Sequence, residues 1–263
     1  MNLFLKKENI HAGSLILVNR EHALKENGLS VMCAPFSEQP EIRMEENAGT
    51  YLQKIFRYLS GNEEITGVSG YRTKKEQEEI FEESLKENGR IFTETYVAFP
   101  GCSEHQTGLA IDLAKKAENI DFICPEFPYE GICQEFREHA AEFGFIERYP
   151  KEKESVTGIG EEPWHFRYVG VPHAQIIKEQ GMVLEEYAKW LKQFSEEKPF
   201  QWQNYRIYFV KGQAETCIEI PDETKYCISG NNVDGFVVTL AEETTGETNE
   251  NQAGEGKSGK QKN

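Results

Sequence analysis

The sequence predicts an α+β protein, on three observations. Helix-period and strand-period patterns succeed one another between residues 44 and 197, with no internal repeat. Four short strand patterns then fill residues 205–240, separated by turn residues. Hydrophobic side chains make up 38% of the 263 residues, enough to bury a real core.

The elements can be justified in order. Ala48, Leu52, Ile55, Phe56 and Leu59 recur at helical spacing and predict a helix over 44–59. Residues 65–69 read as a short strand running into Gly70-Tyr71-Arg72. A second helix starts at Thr73, where Thr73 and Glu76 form a capping box, and Gly89 sits where a C-terminal cap belongs. Ile80, Phe81 and Leu85 are expected to point inward from it. Residues 108–113 alternate like a strand. Residues 119–131, with Cys124-Pro125 and Phe127-Pro128, read as an irregular loop. A third helix is expected over 132–143, ended by Gly144, and Phe145-Ile146 starts another strand.

The polar, Gly-rich stretch 150–163 reads as a loop. In the strand that follows, Trp164, Phe166 and Tyr168 face one way and His165, Arg167 and Val169 the other. Pro172 opens a helix, and residues 184–197 form the last one. Composition changes after Pro199, where strands over 205–210, 215–220, 226–229 and 236–240 predict a small β appendage. From Glu242 onward the only apolar side chain is Ala253, so burial cannot offset the entropy of ordering and disorder is expected. The expected organisation is a main domain over 1–198, the appendage over 199–241 and a tail over 242–263.

Forty-five acidic residues against 29 basic ones give a formal net charge of -16. Nucleic acid and anionic lipid both call for a basic footprint, so both are disfavoured as partners. The apolar run at 15–18 is far short of the roughly 20 residues of a helical membrane span. Lys6, Lys7 and Glu8 break any signal-peptide pattern in the first twenty residues. A complete chain of this kind is expected in the cytoplasm, with its six cysteines as reduced thiols. No C-x-x-C pair is present to suggest a zinc knuckle or a thioredoxin-type motif.

Three segments carry candidate chemistry. His105 and Asp112 are suitable zinc ligands, and Gly108 between them lets the chain bend so that the two can converge. Glu162 lies three residues before His165, which could be a third ligand with Glu162 as a proton acceptor. Arg72 sits between a strand end and a helix start, where a guanidinium can hold an oxyanion. Each segment alone has an ordinary reading: a structural His and Asp, a surface Glu beside a half-buried strand His, a surface Arg. His11, His22 and His139 suggest no role, and His173 reads as structural.

Taken together and in order, Ser69-Gly70-Tyr71-Arg72, then Ser103-x-His105-x-x-Gly108-x-Ala110-x-Asp112, then Glu162-x-Trp164-His165-x-Arg167-Tyr168-Val169-Gly170 resembles the zinc D,D-peptidases of the VanX/VanY type. The likeness covers roughly residues 29–195 and is greatest to the cytoplasmic, bifunctional VanXY subgroup. The resemblance implies a central antiparallel sheet with flanking helices. It implies Zn²⁺ held by His105, Asp112 and His165, with Glu162 as general base and Arg72 stabilising the transition state. Gln77 and Ser103 would bind substrate, and the loop 121–131 would help decide substrate length. The implied substrates are D-Ala-D-Ala and the peptidoglycan precursor pentapeptide, an activity linked to vancomycin-type resistance. Two alternatives stand beside it: a peptidoglycan endopeptidase with the same zinc site, and a non-catalytic, zinc-stabilised cell-wall-peptide binding module. The appendage could extend the sheet, mediate homodimerisation or cover one side of the site.

Overall fold

The structure, a computed structural model, describes residues 1–25, 32–60 and 62–242. The predicted disorder of the tail falls, beyond Glu242, outside the described residues. In chain order the strands are β1 (Asn2–Lys6), β2 (Met32–Cys33), β3 (Met44–Glu45), β4 (Ile65–Ser69), β5 (Ala110–Lys115) and β6 (Phe145–Tyr149). They continue with β7 (Glu162–Tyr168), β8 (Phe200–Trp202), β9 (Tyr205–Lys211), β10 (Glu215–Glu219), β11 (Lys225–Gly230) and β12 (Gly235–Ala241). The helices are α1 (Glu46–Tyr58), α2 (Lys74–Glu87), α3 (Gly89–Tyr96), α4 (Gly131–His139), the single turn α5 (Glu154–Thr157), α6 (His173–Gln180) and α7 (Leu184–Leu191).

The central sheet has the order β4-β5-β7-β6, and every pair in it is antiparallel. Its middle strand β5 is buried along all but its last residue. One face packs against α1 and α4 through Leu52, Ile55, Phe136, Phe145 and Phe166, as the alternation of β7 predicted for Phe166. A second cluster joins Ile146 and Val169 to α6 and α7 through Ile176, Ile177, Leu184 and Tyr187. That cluster also takes in Ile207 of β9 and Val237 of β12, so the appendage sheet, ordered β11-β12-β9-β8, packs on the helices. Among the described residues no helix is long and apolar enough to cross a membrane.

Several expectations are corrected. Met44 and Glu45, expected within the first helix, form a two-residue strand paired with Met32 and Cys33. Leu85, expected to face inward, is exposed, because the buried positions of α2 are the polar Gln77 and Ser84. Ser84 is spent on a 2.8 Å hydrogen bond to Thr93 of α3, a helix the sequence reading missed. Gly89 closes α2 as expected, with φ of +77°, and opens α3 at once. The last helix stops at Leu191, short of 197, and continues only as turns. Strands β1 and β8 were not foreseen, and β1 pairs with β10, carrying the N-terminus into the appendage.

Candidate active site

The site is built on three adjacent strands. Ser69 at the end of β4 lies opposite Asp112 on β5, and Asp112 lies opposite His165 on β7. Side chains abreast on neighbouring strands project to the same face, so the pairing register alone brings Asp112 and His165 together. His105 arrives from a short 3-10 turn before β5, which Gly108 closes with φ of +75°. A Cβ at Gly108 would also meet the Glu45 nitrogen at 2.9 Å, so the position is closed to larger residues on two counts. Arg72 follows β4 immediately, and the capped start of α2 sets its direction: Thr73 accepts from the Glu76 N–H, and the Glu76 carboxylate accepts from Thr73.

The distances are short. Nε2 of His105 lies 3.0 Å from Oδ2 of Asp112, and Nδ1 of His165 lies 2.9 Å from Oδ1. The ligand atoms offered by His105, Asp112 and His165 all lie within 4.8 Å of one another, and all three residues are buried. Arg72 donates from Nη2 to Asp112 Oδ2 at 2.8 Å, from Nε to Ser69 at 2.6 Å and from Nη1 to Gln77 at 3.3 Å. Gln77 in turn donates to the Ala98 carbonyl at 2.8 Å. Glu162 Oε2 lies 3.6 Å from His165 Nδ1. Arg72, Gln77, Ser103, His105, Asp112, Glu162 and His165, the seven residues singled out in the sequence, all line one cleft.

The electrostatics separate the two carboxyls. Burial pushes the Glu162 carboxyl up to about 8, against the pull of His165 and Arg72. Burial acts on Asp112 in the same sense, but His105 and His165 outweigh it and hold that carboxyl far below the usual range. His105 is lowered to about 4 by burial and by the Arg72 charge, which keeps it neutral. Its Nδ1–H donates to the Gly70 carbonyl at 2.7 Å, so the lone pair on Nε2 points at Asp112.

The donor set fits a zinc ion. Two imidazoles and a carboxylate are a common catalytic zinc set, leaving a coordination position for water. Asp112 Oδ1 is buried and makes no hydrogen bond, an unspent acceptor that a cation would satisfy.

Some of the surroundings escaped the sequence reading. Glu104, Arg148, Arg167 and Glu185 form a buried ionic network behind His165. Arg137 of α4 donates to the carbonyls of Phe127 at 3.2 Å and Pro163 at 2.9 Å, tying the loop 119–131 to the start of β7. From that loop Phe122 lines the cleft, its ring centroid 5.4 Å from the Arg72 guanidinium. Arg167 stood in the third motif without an assigned role, and the ionic partners of these Glu and Arg residues are too distant in sequence for a local signal to pair them.

An antiparallel sheet that presents Asp112 and His165 on one face, met by His105 from the turn before β5 and by a raised carboxyl beside them, suits a peptidase. The chain belongs to the VanX/VanY-type D,D-peptidases. The family VanY, D-alanyl-D-alanine carboxypeptidase, matches residues 41–171. The chain is 45% identical over 183 residues to the bifunctional D-Ala-D-Ala dipeptidase and carboxypeptidase VanXYC of Enterococcus gallinarum, covering 68% of this chain and 96% of that one. It is similar to the crystal structure of the vancomycin resistance D,D-dipeptidase VanXYg in complex with a D-Ala-D-Ala phosphinate analogue. The TM-score is 0.90 at 46% identity, covering 92% of this chain and 99% of the other. A point mutant of the D,D-pentapeptidase VanY from the VanB-type cassette, solved with Zn(II), matches with a TM-score of 0.56 at 34% identity. That match spans 66% of this chain and 98% of the other, and so leaves a third of this chain outside it.

Proposed function

We propose that the protein is a zinc D,D-peptidase that hydrolyses D-Ala-D-Ala and removes the terminal D-Ala of peptidoglycan precursors, acting in the cytoplasm and contributing to glycopeptide resistance. The observation that carries the reading is that Glu162 beside His165 and Arg72 beside Asp112 share one cleft with the His105–Asp112–His165 set. A module that only bound peptides would have no use for a buried base. The activities of the VanXYC and VanXYg relatives support the substrate class.

His105 Nε2, the Asp112 carboxylate and His165 Nδ1 would hold the zinc. When bound, zinc supplies Lewis acidity: it brings the pKa of water to about 7 and polarises a peptide carbonyl. Glu162, held in a water-poor wall of the cleft, takes the proton from the attacking water and later delivers it to the departing D-alanine nitrogen. Its raised carboxyl suits both steps, because a base of pKa near the working pH can also act as the acid. Arg72 is fixed by Ser69, Gln77 and Asp112 before substrate arrives, so its charge meets the developing oxyanion without reorganisation. Gln77 and Ser103, both buried in the cleft wall, are assigned to substrate binding.

The test is D-alanine release from free D-Ala-D-Ala and from a precursor pentapeptide in parallel. Release from both that is abolished by a chelator and restored by zinc is the expected result. Folded, zinc-loaded protein that releases D-alanine from neither would overturn the reading.

A further inference from the structure

Several buried polar atoms at and behind the site make no hydrogen bond, Asp112 Oδ1 and Arg167 Nη1 among them, and two of these atoms face each other. They are Nε2 of His165 and Oε2 of Glu104, 3.7 Å apart. An unpaired buried donor or acceptor costs about 1–3 kcal/mol, so such atoms call for an explanation. The distance exceeds a hydrogen bond by under an ångström, a gap that a small rotation of the imidazole closes. The other nitrogen of the ring, Nδ1, is the one turned toward Asp112.

Glu104 itself is held rigidly. Its Oε1 is 2.9 Å from Nε of Arg148 and 2.8 Å from Nη1 of Arg167. Arg148 is gripped from the far side by both oxygens of Glu185, at 2.6 and 2.9 Å. Arg167 donates to the Ser14 and Ile16 carbonyls, each at 2.9 Å. Both arginines lie nearest Oε1, and only Arg148 hydrogen-bonds it, so Oε2 is left to the imidazole.

We propose that Glu104 is the positioning residue for the metal ligand His165: it accepts the Nε2–H, fixes that tautomer, and leaves Nδ1 to the zinc. The inference rests on the zinc reading given above. The two histidines are then oriented by unlike acceptors, a backbone carbonyl behind His105 and a carboxylate behind His165. A small rotation of the His165 ring toward Glu104 would satisfy these two atoms together while Nδ1 would remain available to a metal ion. Nothing in the Cys102–Asp112 segment distinguished Glu104 from a solvated charge.

The test compares Glu104→Gln with Glu185→Gln by chelator competition for zinc. Both variants disturb the same arginine cluster and both should lower the melting temperature. Glu104→Gln alone should weaken zinc binding, by about 10–100-fold. Equal zinc affinities in the two variants would reduce Glu104 to a structural role and overturn the inference. Should Glu104→Gln not fold, ¹⁵N-histidine NMR of the unmodified protein decides it. Zinc loading should leave the proton of His165 on Nε2 and slow its exchange; a proton on Nδ1 would overturn the proposal. D-alanine release by the unmodified protein is read separately: release with unchanged zinc affinity in Glu104→Gln sinks this inference and spares the peptidase reading.

Discussion

Glu162 and Asp112 show how one functional group, the carboxyl, is set to two ionisation states beside the same imidazole. Asp112 faces two imidazoles and a guanidinium and stays ionised, while Glu162 is pushed up to about 8 by burial. Replacing Glu162 with Gln keeps shape and removes basicity. D-alanine release should fall by at least about 10²-fold with zinc stoichiometry unchanged, as metal analysis beside steady-state rates will show. Undiminished turnover would take Glu162 out of the mechanism. At this scale the sequence was informative where residues of fixed spacing share a motif. It was silent on Glu104, whose meaning comes from Arg148, Arg167 and His165 meeting it in space.

The strand β4 and the start of α2 together aim Arg72, and Thr73 is the joint between them. Its side chain accepts from the Glu76 N–H while Glu76 accepts from the Thr73 N–H and hydroxyl. Thr73→Ala should cost about 1 kcal/mol of stability, read as a lowered denaturation midpoint. An unchanged midpoint would mean that packing against α3, not the cap, holds the start of α2. This cap was legible because both partners are three residues apart. The strands β5 and β7 were legible from alternation, and β4 and β6 as short apolar runs beside Gly70 and Gly144. The helix α3 was not: Thr93 is its buried residue, and its apolar Ile91 is among the most exposed in the protein. Likewise β1 alternates only between exposed and half-buried positions, and a strand so weakly patterned is found by its partner alone.

On the scale of the whole molecule, the appendage is fastened to the main sheet through α6 and α7, and His173 lies at that seam. Its Nδ1 is 2.8 Å from the Tyr187 hydroxyl and its Nε2 is 2.9 Å from Thr239 Oγ1 on β12. Burial lowers its pKa to about 3. The unfolded chain therefore takes up a proton near pH 6.5 that the folded chain refuses until about pH 3. Stability contributed by neutral His173 is complete above pH 6.5 and declines as pH falls, by up to about 1.4 kcal/mol per pH unit. The denaturant midpoint should drop more between about pH 7 and pH 5 for the unmodified protein than for His173→Gln. Equal drops would place the acid sensitivity elsewhere. The sequence reading of His173 as structural agrees with this placement, but nothing in it linked the helix to a strand so far along the chain.

The pairing of β1 with β10 sets Asn2 against Glu219 and Lys6 against Glu215. On a ribosome β1 emerges long before its partner. Until β10 and β12 follow, β1 is an unmatched edge, with Ile10 lacking Ile218 and Phe236 to cover it. The carbonyls of Ser14 and Ile16, to which Arg167 donates, belong to the same early segment. The proposed metal site thus leans on an N-terminal segment whose own neighbours, Ser229 and Asn231, lie more than two hundred residues further along the chain.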